Sequence, residues 1–276
     1  MPEGHPRAAT IDADFPIDDL RAAYARDGVV VLRGVFKDWI ETLRAGFERN
    51  LGAPGPFAIE NVRSGEGGRF FEDYCNWPRI PEFRDFILNS PAAEIAGRLM
   101  GANSAQIFHE HILVKEPGTS KPTPWHQDMP YYCVTGRQTA SYWIPLDPVT
   151  EANTLRALKT SHLWPKLVRP KRWASNESFY TSGDDFMDMP VIPDDDPRIL
   201  AVALEPGDAI VFDFHCVHGA PGNIGATRRR AVSARYVGDD VTFFERPGRT
   251  SPPFPGIDQK SGERLRQDWF PVVWRR

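Results

Sequence analysis

The sequence predicts a mostly β fold: an antiparallel sandwich or barrel with helices packed against it. Three observations predict it. Helical patterning dominates the first third of the chain, and strand patterning takes over from Ala105 onward. The 26 prolines and 22 glycines place much of the 276-residue chain in turns and long loops. No linker-like stretch separates the two halves, so residues 1–276 read as a single domain.

Taken in order, "PIDDLRAAYARDGVVVLRGVF" reads as a helix, a stop at Gly28 and a β-branched strand from Val29 to Leu32. "KDWIETLRAGFERNLG" follows as an amphipathic helix with Gly52 just past its end. Residues 53–78 read as a charged, Gly-rich loop closing in the aromatic cluster Phe70, Phe71, Tyr74 and Trp77. "IPEFRDFILNS" and "PAAEIAGRLMG" read as two more helices, the second with Pro91 at its first turn and Gly101 at its exit. Strands are then expected in "AQIFHEHILVKEPG", "TASYWIPLDPV", "TLRALKTSH", both sides of the Glu205–Asp208 turn, and "RRRAVSARYVG". Residues 163–198 lack periodicity; a loop this long inside a domain reads as a lid or binding loop.

Composition excludes several classes. A net charge of −4 argues against a nucleic-acid binder. No run of about 18 apolar residues exists to span a membrane. The opening residues lack the apolar stretch of a signal peptide, and Cys75, Cys133 and Cys216 show no CxxC spacing. Free thiols in a reducing compartment, the cytoplasm, are the expectation.

The chemistry gathers around "TPWHQDMPYY". Residues two apart on a strand share a face, so His126 and Asp128 are placed to aim an imidazole and a carboxylate at one point. His218, before a Gly-containing turn, is the candidate third ligand. Two histidines and one carboxylate on one side of a metal suit Fe(II) with open positions. Zinc accepts the same set, and a His-x-Asp pair alone is more often structural. Eleven residues past His218 stands Arg229, sharing a strand face with Ala231, Ser233 and Arg235. An inward arginine beside a small residue can hold a carboxylate bidentately. A dicarboxylate such as 2-oxoglutarate would chelate the metal at one end and meet Arg229 at the other.

The chain resembles the phytanoyl-CoA dioxygenase family of Fe(II)/2-oxoglutarate-dependent oxygenases. The resemblance rests on "WHQD" at 125–128, "LRALKTSH" at 155–162, "LEPGDAIVFDFHCVHGAPGN" at 204–223 and "RRAVSARY" at 229–236, and runs from about Phe15 to Gly238. It implies a double-stranded β-helix, the jelly-roll or cupin-like core, with the N-terminal helices on one sheet. It implies Fe(II) held by His126, Asp128 and His218, with 2-oxoglutarate as cosubstrate and O₂ as oxidant. It places the cosubstrate arginine on Arg229, a neighbouring tryptophan on Trp143 and an apolar pocket position on Ile112. Two departures stand out. Lys159-Thr160-Ser161-His162 replaces the frequent Pro-Gly-Ser-His, and Ala220 replaces a serine that touches the cosubstrate in some members, leaving Ser233 or a water for that contact. Halogenating relatives lack the carboxylate ligand; Asp128 is present, so hydroxylation is implied.

The expected substrate contacts are Tyr131, Tyr132, His111 and Phe71. His109 shares a face with His111, and neither is expected to bind metal; His215 and His162 read as structural. The walls and lid, residues 53–78 and 163–198, mix aromatics with Lys166, Arg169, Lys171, Arg172, Asp184 and Asp185. That mixture suits a small polar or amphipathic molecule. Two rivals stay open: a cupin-like zinc enzyme without 2-oxoglutarate, and an idle binding protein on the same scaffold.

Overall fold

The structure, a computed structural model, describes residues 11–62, 67–173, 177–180 and 185–276. Helices form where the apolar spacing predicted them. Ile17–Asp27 ends at Gly28, whose φ of 75° is left-handed and whose N–H is donated to the Tyr24 carbonyl (2.8 Å). A Cβ at Gly28 would lie 2.3 Å from the His162 ring, so only glycine fits there. The second helix, Ile40–Gly52, takes in Gly52 rather than stopping before it. Pro81–Asn89 and Ala92–Met100 follow, the last closed by left-handed Gly101.

Apart from two short two-stranded pairs, the strands form two antiparallel sheets that face each other. The larger runs Val29–Leu32, Ala209–Phe212, Thr139–Pro145, Arg229–Val237, Ser104–Lys115, Phe70–Tyr74, Ile59–Glu60, with Val272–Arg275 also on Ser104–Lys115. The smaller runs Ile199–Leu200, Arg156–Leu158, His218–Ala220, Thr123–His126. This is a jelly-roll core with the helices on the outer face of the larger sheet.

Side-chain alternation divides the larger sheet cleanly. Ile112, Val114, Val232, Ala234, Tyr142 and Tyr236 point to the helices and pack with Phe36, Phe47, Phe83 and Phe86. Each such ring contributes about 1.5–3 kcal/mol of burial. Tyrosine hydroxyls tie the layers: Tyr142 donates to the Ala92 carbonyl (2.7 Å) and Tyr24 to that of Thr139 (2.7 Å). The other face, carrying Trp143, Ala231, Ile210 and Phe212, packs against Ala157 and Cys216 from the smaller-sheet side. No helix among the described residues is long and apolar enough to cross a membrane.

One local expectation is corrected. Phe70, Phe71 and Tyr74 of the aromatic cluster are not on a loop: Phe70–Tyr74 is a strand, buried on both faces and paired with Ser104–Lys115, and Trp77 alone lies in a turn. Burial of Glu72 and Asp73 removes the apolar alternation by which a strand is recognised. The Lys159–His162 turn keeps its shape without glycine, because Thr160 itself adopts φ 66°. A left-handed non-glycine residue costs roughly 1–2 kcal/mol, against ~0.5–1 kcal/mol of extra chain entropy for glycine. Thr160→Gly is therefore expected to raise stability by roughly 0.5 kcal/mol in urea unfolding. A lowered midpoint would show that the threonine is not strained.

Candidate active site

His126 and His218 sit directly opposite each other on adjacent strands of the smaller sheet, ring centroids 4.2 Å apart. Each Nδ1–H is donated to a backbone carbonyl, Pro124 at 2.8 Å and Cys216 at 3.0 Å. That fixes the tautomer and leaves both Nε2 lone pairs free for a metal. Asp128 reaches the same point by a different route from the one expected. The strand ends at His126, and Asp128 opens a short 3-10 turn over Met129–Tyr131. The Phe214 carbonyl accepts both the Asp128 N–H (2.9 Å) and the Met129 N–H (3.0 Å), which locks that turn. Asp128 Oδ1 then lies 3.6 Å from His126 Nε2 and 3.7 Å from His218 Nε2. Among the described residues this is the one group of metal-ligating side chains whose donor atoms all lie within 4.8 Å of one another.

The electrostatics suit a cation. Burial, with His126 alongside, pushes His218 down to about 3, so its imidazole is neutral. Burial works to raise the Asp128 carboxyl, but Arg235 and the two histidines outweigh it and hold it well below the usual range. Arg235 Nε donates to Asp128 Oδ2 at 3.1 Å. That bond turns Oδ1 toward the histidines. Arg235 acts through Asp128 and is a positioning residue.

A second feature lies on the same interior face. Arg229 and Lys115 are directly opposite on neighbouring strands, and both are buried. Arg229 donates to the carbonyls of Asn153 and Pro221, and Lys115 donates to that of Pro221 at 3.1 Å. Neither forms an ion pair among the described residues. Burial pushes the guanidinium down to about 10. Burial, then the charge of Arg229, depresses the Lys115 ammonium well below its usual value. A buried guanidinium with no anion in contact, as at Arg229, is costly unless a ligand supplies one.

Beside the metal ligands opens a cavity of about 270 Å³. Tyr131 and Tyr132 both line it, as do Glu72, His111 and Trp173. Tyr131 pins the long loop: its hydroxyl donates to the Lys171 carbonyl (2.8 Å) and accepts the Lys171 N–H (2.9 Å). This holds the Trp173 ring edge-on to His126, centroids 5.0 Å apart, with its other side toward Phe70. The cavity shares Ile59, Tyr74, Arg172, Phe179 and Ser251 with a wider cleft of about 630 Å³.

The profile of the phytanoyl-CoA dioxygenase family matches residues 24–231. The chain belongs to that family. A curated relative, a "probable phytanoyl-CoA dioxygenase" of Caenorhabditis elegans, is 23% identical over 202 residues, 69% of this chain. The match spans 58% of that relative's length. Among solved structures, the non-heme alpha ketoglutarate dependent carbocyclase SnoK from nogalamycin biosynthesis superposes with TM-score 0.73 at 25% identity, over 97% of this chain and 100% of SnoK. The epimerase SnoN, solved with Fe3+, alpha ketoglutarate and nogalamycin RO, gives 0.70 at 21%, over 94% and 98%. EctD from S. alaskensis, in its apoform, gives 0.63 at 20%, over 86% and 84%. The last two likenesses speak for the shared fold alone.

Within this family fold the structure brings His126, Asp128 and His218 together, as the spacing anticipated. Arg229, Ser233 and Trp143 all lie on the interior face: Ser233 pairs directly with His111, and Trp143 packs with Ala231 and Phe212. His111 lines the cavity, whereas His109 is buried behind it against Phe108 and Tyr132. His215 bonds Asp213 (2.7 Å), and His162 faces the Ala25 carbonyl of the first helix (3.3 Å) rather than its own turn.

Two assignments are corrected by strand parity. Ile112 and Phe71 point to the helix layer, not the cavity. Each is one residue from an inward position, and a slip of one exchanges faces. The inward neighbours are His111 on one strand and Phe70, Glu72 and Tyr74 on the other. Ser251 was also unforeseen, since its segment carries no motif. Asp184, expected in the lid, lies outside the described residues, as do 63–66, 174–176 and 181–183.

Proposed function

We propose that this chain is a non-haem Fe(II)/2-oxoglutarate-dependent dioxygenase that hydroxylates an aliphatic C–H bond of a small polar or amphipathic molecule, releasing succinate and CO₂. His126 Nε2, His218 Nε2 and Asp128 Oδ1 would hold the iron, leaving its other side open. Bound iron, with 2-oxoglutarate and O₂, supplies the oxidising chemistry. The chain's own groups orient and shield. Arg229, with Lys115 beside it, takes the far carboxylate of 2-oxoglutarate, and Trp143 and Ser233 flank it. Tyr131 and Trp173 cover the ligand set and keep water from it.

The observation that carries this reading is the buried basic pair Arg229 and Lys115, neither in ion-pair contact with a carboxylate among the described residues. A zinc hydrolase with the same ligands has no use for them. An idle scaffold has no reason to preserve both the triad and the basic pair. The test is anaerobic addition of 2-oxoglutarate to the Fe(II)-loaded protein, then O₂, with succinate measured during a substrate screen. Succinate in step with oxidised product is the expected result; no succinate with any compound would refute the proposal.

A further inference from the structure

The cavity lined by His126 and Asp128 also carries a buried pair that the proposed reaction does not use. His111 Nε2 lies 3.1 Å from Glu72 Oε2, and both side chains are almost fully buried yet line the cavity. The Asn61 amide donates to Glu72 Oε1 at 3.0 Å. The Tyr74 ring lies tilted against that of His111, centroids 4.3 Å apart.

The polarity of this cluster follows from bonding rules. Burial works to raise Glu72, but His111 and Asn61 outweigh it and hold the carboxyl below its usual value, so it is ionised. A carboxylate only accepts, so the nitrogen facing it must be N–H. Burial lowers His111, which keeps the ring neutral and leaves Nδ1 as an acceptor. A carboxylate offers about four acceptor positions, of which Asn61 and His111 occupy two. The pair therefore has acceptor capacity left and nothing to donate. It repels carboxylates and phosphates and selects a hydrogen-bond donor. An ammonium is disfavoured, because Arg235, Arg172 and Lys171 also line the cavity. As structural cement the pair is a poor choice: its strands are already joined by backbone pairing, and apolar residues would hold them at lower cost. The remaining walls, Tyr131, Trp173 and Phe179, are aromatic faces suited to a ring.

We propose that Glu72 and His111 form the polar anchor of the substrate pocket, taking the hydroxyl groups of a ring-bearing alcohol or glycoside in the cavity that His126 and Asp128 also line. This rests on the dioxygenase reading and names its substrate class. The anchor makes the enzyme selective for hydroxylated rings over bare hydrocarbon.

The test uses two matched probes: phenyl β-D-glucopyranoside, and 6-methyl-2-phenoxytetrahydropyran, the same skeleton without hydroxyls. Binding to the anaerobic Fe(II)–2-oxoglutarate protein is measured by calorimetry for wild type, Glu72→Gln and His111→Phe. Wild type is expected to prefer the glucoside. Each variant is expected to lose at least about tenfold in glucoside affinity and less than about twofold for the ether, since only the glucoside loses bonds to a charged acceptor. A variant that binds neither probe is checked by its melting curve, and the other then decides. No preference in wild type, or wild-type preference retained in a folded variant, would overturn the anchor. Formation of the Fe(II)–2-oxoglutarate complex is read separately from its visible absorption, so failure of the anchor is distinct from failure of the dioxygenase reading.

Discussion

Asp128→Ala is expected to reduce iron-dependent succinate formation to background. In the proposed site the carboxylate would supply the anionic donor, and its Oδ1 stands within 3.7 Å of both histidine Nε2 atoms. The same substitution strands Arg235, which is 4% exposed and ion-pairs with Asp128. Breaking a buried pair costs about 3–5 kcal/mol, so Asp128→Ala is also expected to be less stable. Asp128→Asn separates the two effects. It keeps the shape and an acceptor for Arg235 while removing the ligand charge. Folded Asp128→Asn protein that no longer binds Fe(II) tightly would assign the loss to metal binding. Wild-type turnover in that variant would show that Asp128 is not a ligand.

Arg229→Ala carries the second large effect. Truncating one partner of a buried, charge-assisted contact costs about 2–5 kcal/mol. The 2-oxoglutarate concentration for half-maximal turnover is therefore expected to rise at least about 30-fold. Lys115 remains as the second basic group, so binding is weakened rather than abolished. Arg229→Lys should fall between, since an ammonium keeps the charge and loses the planar fork. The guanidinium also bonds the carbonyls of Asn153 and Pro221. Urea unfolding of both variants reads that structural share. An unchanged 2-oxoglutarate requirement in Arg229→Ala would remove Arg229 from the cosubstrate site.

The parts of this site that were legible share a cause. Strand period places Arg229, Ala231, Ser233 and Arg235 on one face, and the structure keeps that face inward through the whole of Arg229–Val237. The candidate ligands His126 and Asp128 were marked as a pair by their spacing on an expected strand, although Asp128 arrives by a 3-10 turn. What stayed hidden depends on contacts between distant segments. Arg235 and Asp128 are 107 residues apart, and nothing local in either announces the bond. Glu72 and Tyr74 were concealed because a strand buried on both faces, with acids among its aromatics, lacks alternation. Ile112 and Phe71 show the sharpest limit. Their strands have the right neighbours, but parity decides which side chain enters the cavity, and single-sequence reading fixes parity only where one face is polar.

The buried Arg229–Lys115 pair and the His126–Asp128–His218 triad are proposed to receive 2-oxoglutarate together. Anaerobic titration of the Fe(II)-loaded protein with 2-oxoglutarate tests this most directly. A visible metal-to-ligand charge-transfer band should grow to saturation at one equivalent per chain in wild type. It should require far more 2-oxoglutarate in Arg229→Ala, and be absent from Asp128→Asn at the same iron concentration. Wild-type protein that binds Fe(II) but develops no band would contradict the claim and return the site to a metal enzyme that does not use 2-oxoglutarate.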